Sequence, residues 1–283
     1  MYLYEFALLL YCFMVIIPYS RAWYGRLFNN RLFRRDKIAI WMLGLLPVVS
    51  LLIILYTVKF LASFDVVNNL FYIMFYVILG CAWTFAGIIL VFYFFDLSWT
   101  DDILNLNNKS ALFAFCGAIL GLVLIYSGAN VGDGPGSWCV IFAGGLGIVS
   151  WFLLGRLVHH FTEVFERITI DRDINCGIRM GTYFLSSGLI LARASAGDWT
   201  SFYSTIIEFL VGWPVLPLTI LVIAVERYFT KKAKSEGISN TCSLSTLSLC
   251  FIYIVIAIAS IMMFPLVENP IYDNQLGLLG VIL

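Results

Sequence analysis

Long apolar runs, each closed by a short polar or basic segment, set the rhythm of this chain. The pattern predicts eight helices, over about residues 2–18, 38–60, 70–95, 109–128, 138–158, 175–194, 202–226 and 243–265, with edges good to about three residues. A helix rises about 1.5 Å per residue, so a run of roughly 20 apolar residues matches the hydrocarbon thickness of a bilayer. Each helix satisfies its own backbone N–H and C=O groups, as lipid demands. Pro18 is expected to close the first span, Pro47 to loosen the second, and Pro214 with Pro217 to kink the seventh.

Composition agrees with that pattern. The chain is 61% hydrophobic and 12% charged, with a mean hydropathy of +0.95, more apolar than one soluble core can hide. Membrane lipids are therefore its first expected partner. Net charge is zero, which removes any general attraction to polyanions, so no nucleic-acid role is expected. The seven cysteines (Cys12, Cys81, Cys116, Cys139, Cys176, Cys242 and Cys250) include no CxxC pair and read as packing residues. Residues 2–17 are apolar, but Glu5 lies among them and the basic cluster follows them. This is the pattern of a retained first helix with its N-terminus outside.

Lys and Arg then set the topology. Arg21, Arg26, Arg31, Arg34, Arg35 and Lys37 follow the first span. Arg156, Arg167 and Arg172 surround the end of the fifth, and Arg227, Lys231, Lys232 and Lys234 that of the seventh. Only Lys59 and Arg193 lie toward the other side. All the basic loops fall in the cytoplasm if both termini are outside, in a bacterial inner membrane. The outer turns 128–138 and 194–199 are short and rich in glycine and aspartate.

Taken pairwise, the spans form four units, each an inward helix, a polar lip and an outward helix. The lips share an acid before isoleucine: Asp36-Lys37-Ile38, Asp101-Asp102-Ile103, Asp173-Ile174 and Glu236-Gly237-Ile238, the isoleucines being 65, 71 and 64 residues apart. A two-span unit returns the chain to its starting side, so such repeats would be parallel. An overlay shifted by 67 places Asn108 on Asn175, Gly121 on Gly188, Leu122 on Leu189, Leu124 on Leu191 and Ala129 on Ala196. A shift of 60 matches Gly117, Gly121 and Gly128 to Gly177, Gly181 and Gly188, but loses the polar lip. The expected architecture is an all-α polytopic bundle in three parts. Residues 1–69 form a helix pair with a basic loop, 70–199 a tandem core, and 200–283 a second pair with an apolar tail ending LGLLGVIL.

The stretch Asn107-Asn108-Lys109-Ser110-Ala111, followed by Ala114, Gly117, Ala118, Ile119, Leu120 and Gly121, resembles a bacterial inner-membrane family known as domain of unknown function 350. Asp173-Ile174-Asn175, Gly177, Gly181 and Gly188 carry the resemblance in the second unit, and the whole covers roughly residues 75–199. Cys176 and Arg179 depart from it, standing where small or apolar residues are usual. The resemblance implies paired two-helix repeats and, by association only, envelope maintenance. It implies no reaction.

Within the spans, Gly117, Gly121, Gly177, Gly181 and Gly188 present smooth faces for close helix approach. They fit an internal helix pair, subunit assembly or a lipid groove. A charge in hydrocarbon costs about 2.5–3.5 kcal/mol on insertion scales, so each one asks for a partner or a path. Arg193 with Glu208 is expected to make an ion pair or to line an ion path. Arg179 is expected to snorkel or to meet Asp173. His159, Glu163 and Glu166 fall at i, i+4 and i+7 if the fifth helix continues, a spacing able to hold a divalent metal. No second Glu-x-x-His supports a di-metal bundle, and no cofactor is expected. The lip residues Asp101, Asp102 and Asn108 offer either a helix cap or a surface for a basic cytoplasmic partner.

The chain contains no GxxxxGK[ST], HExxH or GxSxG, and its two histidines are adjacent, so nothing points to catalysis. The expected function is a non-catalytic subunit or scaffold of an envelope complex, as a homo-oligomer or with other membrane subunits. The alternative is a small-solute or ion channel or transporter.

Overall fold

The computed structural model describes residues 3–28, 37–236 and 241–266. They form helices α1 (Leu3–Phe28), α2 (Lys37–Phe60), α3 (Phe64–Val67), α4 (Leu70–Phe95), α5 (Lys109–Ala129), α6 (Ser137–Thr162), α7 (Val164–Thr169), α8 (Ile174–Ser195), α9 (Phe202–Phe209), α10 (Val215–Glu236) and α11 (Leu244–Met263). A π-helical turn, Trp99–Asn105, lies between α4 and α5, and no strand occurs among the described residues. The protein is an all-α helical bundle. Residues 29–36, 237–240 and 267–283 lie outside the described residues. They hold much of the first basic loop, the Gly237-Ile238 lip and the apolar tail.

Six helices (α1, α2, α4, α5, α6 and α11) are long and apolar enough to cross a membrane, and α9 with α10 makes a seventh, bent by 41°. We read the chain as membrane-spanning on that basis. Two expectations change. Pro18 does not end the first helix; it lies inside α1, which runs on to Phe28. A proline in a helix interior frees one carbonyl, which neighbouring groups in a bundle can absorb. The sixth expected span, α8, falls below the apolarity of the other six, because Asn175, Arg179, Thr182, Tyr183, Ser186 and Ser187 lie along it. Protein surrounds it instead of lipid: α5, α6, α10 and α11 all pack on it.

Two rows of helices result. The second helices of the four units, α2, α5, α8 and α11, touch in that order, and the first helices, α1, α4, α6 and α10, form a row beside them. Burial is deepest in the middle of the molecule, on α5 and α8, and shallow on α1, α2 and α11. Apolar side chains exposed on the outer helices, among them Trp41, Leu52, Tyr56, Phe251 and Met262, suit a hydrocarbon solvent.

At the end bearing the turns, neighbouring units join by backbone. Gly132 N–H donates to Leu61 O (3.4 Å) and Gly197 N–H to Val131 O (3.0 Å). Gly132 and Gly197 have φ of +106° and +144°, which glycine alone adopts without strain. At the lip end, asparagines reach forward one unit. Asn108 Nδ2 donates to Ile168 O (2.8 Å) and Asn175 Nδ2 to Thr241 O (2.9 Å). Arginines reach back: Arg156 Nη1 to Phe94 O (3.3 Å) and Arg227 Nε to Phe161 O (3.1 Å). Even the helix ends recur. Asp96 (φ 53°, ψ 35°) closes α4 and Glu163 (φ 54°, ψ 34°) closes α6 in the left-handed region, 67 residues apart.

Candidate functional site

The α5–α8 contact is the closest in the molecule. A Cβ added to Gly117 would stand 2.0 Å from Gly181 O, on Gly121 2.4 Å from Phe184 O, and on Gly177 2.2 Å from Ser110 O. On Gly181 it would meet Phe113 O at 2.4 Å, and on Gly188 the Gly121 Cα at 2.5 Å. All five predicted glycines thus serve one helix pair inside the molecule. The pairs Ser110–Gly177, Ala114–Gly181 and Gly121–Gly188 meet at an offset of 67, which places the starts of α5 and α8 level.

On the opposite face of α8 the structure gathers charge. Arg179, 1% exposed, donates from Nε to Glu226 Oε1 (2.6 Å) and from Nη2 to Glu226 Oε2 (2.8 Å). Its Nη1 reaches Thr246 Oγ1 on α11 (3.0 Å), and the Phe229 ring lies 4.2 Å from its Cζ. Arg167 on α7 donates from Nη1 to Glu226 Oε2 (3.0 Å) and Thr230 Oγ1 (3.0 Å), and pairs through Nη2 with Asp173 Oδ2. Asp173 Oδ1 caps α8, accepting from the N–H groups of Asn175 (3.0 Å) and Cys176 (3.2 Å). Two guanidinium and two carboxylate groups therefore make a buried neutral network. The bidentate Arg179–Glu226 fork matches the planar geometry that makes such pairs strong. Burying four charges is repaid only when their hydrogen bonds are met, as they are here.

Arg179 and Asp173 are thus both in the site but not paired with each other, because α8 separates them by about a turn and a half. Glu226 and Arg167 take their places. In the sequence Glu226 stands only as the end of a span and Arg167 only as a topology signal. The available signal was depth: Arg179 and Glu226 lie near the same end of neighbouring helices.

Arg193 and Glu208 form no salt bridge among the described residues. Arg193 instead donates to the carbonyls at the end of α11, Nε to Phe264 O (2.6 Å) and Nη2 to Pro265 O (2.7 Å), and Nη1 reaches Ala196 O (3.3 Å). A cation is favoured there by the negative pole of a helix C-terminus. Glu208 lines a small crevice at the turn end with Asp133, Asp198 and Trp199.

His159, Glu163 and Glu166 do not share a helical face. Glu163 takes left-handed dihedrals and ends α6, and Glu166 starts from the separate α7. His159 stacks on Phe165, ring centroids 4.8 Å apart, and no cluster of three metal-ligating side chains occurs among the described residues.

Asn108 is 2% exposed and bonded on both sides, its Oδ1 accepting from Ala111 N–H (3.2 Å), so it caps a helix and joins two units instead of facing a partner. Asp101 remains exposed and accepts from Asn105 Nδ2 (3.1 Å). Asp102 is half-buried and accepts from Ser98 N–H (2.8 Å). Burial raises its carboxyl above the usual range; that N–H opposes the rise, and the charges of Asp96 and Asp101 add to it. All seven cysteines are free thiols.

No protein-family model, curated protein or solved structure matches the chain.

Proposed function

We propose that the protein is a non-catalytic multi-pass subunit or scaffold of a bacterial inner-membrane complex, built from parallel two-helix repeats. Its lips lie in the cytoplasm and both termini outside. The observation that supports a scaffold best is the buried charge network: Arg167, Asp173, Arg179 and Glu226 satisfy one another and hold four helices together. Charges spent on cohesion are not free to pass an ion. The recurring lip and turn contacts support the repeat; the proposed relation to the domain-of-unknown-function 350 family rests on the sequence resemblance alone. Asp101 and its exposed neighbours on the lip are the surface offered to a basic cytoplasmic partner.

Extraction from the native membrane in mild detergent, followed by native mass measurement, tests this reading. Stoichiometric co-purifying polypeptides, or a homo-oligomer that carries no current in liposomes, support it. A purified chain that conducts ions or solute overturns it in favour of the channel reading. That second reading draws on the break at Trp213–Pro214 and on the acid-lined crevice holding Glu208.

A further inference from the structure

Arg156 on α6 and Arg227 on α10 stand 71 residues apart and are held alike. Arg156 donates from Nη1 to Phe94 O (3.3 Å). Arg227 donates from Nε to Phe161 O (3.1 Å), with its Cζ 5.2 Å from the centroid of the Phe161 ring. Phe94 and Phe161 each lie one residue before the end of their helix, α4 and α6. Both guanidinium groups are therefore fixed at the level where an apolar helix stops and a lip begins. The last carbonyls of a helix form its negative pole and draw a cation there.

Each clamp uses one of the five N–H donors of its arginine. Both arginines are exposed, and among the described residues neither meets a carboxylate within salt-bridge distance. The nearest acids in the chain, Asp96 and Glu163, follow two residues beyond the clamped carbonyls. Each arginine also ends an exposed apolar stripe. Val149, Leu153 and Arg156 fall at i, i+4 and i+7 on α6, and Ile220, Ala224 and Arg227 repeat that spacing on α10. A fixed cation at the foot of a hydrocarbon-facing stripe complements a molecule with an anionic head and an apolar tail.

We propose that each stripe seats one anionic phospholipid, along the α4–α6 and α6–α10 seams. The headgroup phosphate accepts from the remaining guanidinium donors, whose planar fork matches its oxygens, and an acyl chain lies along the aliphatic residues. The backbone clamps hold both guanidinium groups in place beforehand, so binding orders little. Arg167 and Arg179 differ, being buried and engaged by carboxylates. The proposal rests on the membrane-spanning reading and holds for a scaffold or a channel.

Native mass measurement of the delipidated protein in detergent tests it, with phosphatidylglycerol, phosphatidylcholine or inorganic phosphate added. Two phosphatidylglycerol adducts are expected, each held about fivefold more tightly than phosphatidylcholine, the preference one basic residue gives at a membrane surface. Equal binding of the two lipids, or displacement of phosphatidylglycerol by inorganic phosphate, would overturn the proposal in the wild-type protein alone. Arg156→Gln and Arg227→Gln should each lose one adduct. Arg172→Gln removes the same charge from an exposed lip position and should keep both. Retention of both adducts when Arg156 and Arg227 are replaced together, or their loss in Arg172→Gln, would also overturn it.

Discussion

The two faces of α8 solve the same problem by opposite means. Toward α5 the helix presents Gly177, Gly181 and Gly188, and the two backbones touch without intervening side chains. Toward α10 and α11 it presents Arg179, and the gap is filled by guanidinium, carboxylate and hydroxyl groups. Between helices in lipid there is no water to expel, so cohesion comes from packing or from hydrogen bonds. The glycine face relies on packing, which depends on shape and tolerates no added atom. The charged face relies on pairing, which depends on stoichiometry and tolerates no lost partner. One junction should therefore fail on enlargement, the other on truncation.

The largest effect tests the charged face. Glu226→Ala leaves Arg167 and Arg179 without their shared carboxylate, and loss of one partner from a buried pair costs about 3–5 kcal/mol. Thermal unfolding in detergent should show it as a large drop in melting temperature. Arg179→Met combined with Glu226→Leu leaves the Arg167–Asp173 pair neutral and should recover most of that loss. If the double variant is no better than the single, the network does not act through charge balance.

Gly117→Ala follows. Its new methyl meets the Gly181 carbonyl, and overpacking of this kind costs about 1–3 kcal/mol, with the backbone shift at the upper end. Here no second substitution on α8 should rescue, because the obstacle is backbone. Gly145, whose added Cβ would meet nothing within 4 Å, is the control: Gly145→Ala should leave stability unchanged or raised. Equal losses at both glycines would dissolve the contrast between the faces.

Smaller effects belong to the lips that align the units. Asn108→Ala removes a helix cap and a bond to Ile168 O, for about 1–2 kcal/mol, and Asn175→Ala should behave alike toward Thr241 and Ser243. The smallest is a pH effect. Asp102 holds its proton more tightly folded than unfolded, so its contribution to stability falls as pH rises from the ordinary carboxylate range through its raised folded value. Below that window the group is neutral in both states and the penalty vanishes. Asp102→Asn should remove this slope from a series of melts at mildly acidic pH.

Much of this was readable beforehand. The helix edge near Lys109 follows the cap expected at Asn108, whereas the caps at Asp173 and Ser243 emerged only from the structure. The glycine spacing named the residues of the α5–α8 contact. The ion pairs were not readable. Arg193 lies one short turn from Glu208 in sequence, yet it spans to Phe264 because the end of α11 offers carbonyls aligned with its own helix. The metal face failed on a local matter: helical periodicity was extended across Glu163, where the chain turns left-handed.

Sequence by itself determined the class, an all-α bundle of lipid-length helices, because apolar run length and backbone self-satisfaction are one-dimensional properties. It also marked the level of the lips, since polar residues and caps interrupt those runs. Tertiary structure alone decided which charge meets which. A guanidinium near one helix end has several carboxylates within its depth, and only lateral helix order chooses among them. By bringing α10 and α11 against α8, the fold gave Arg179 its partners.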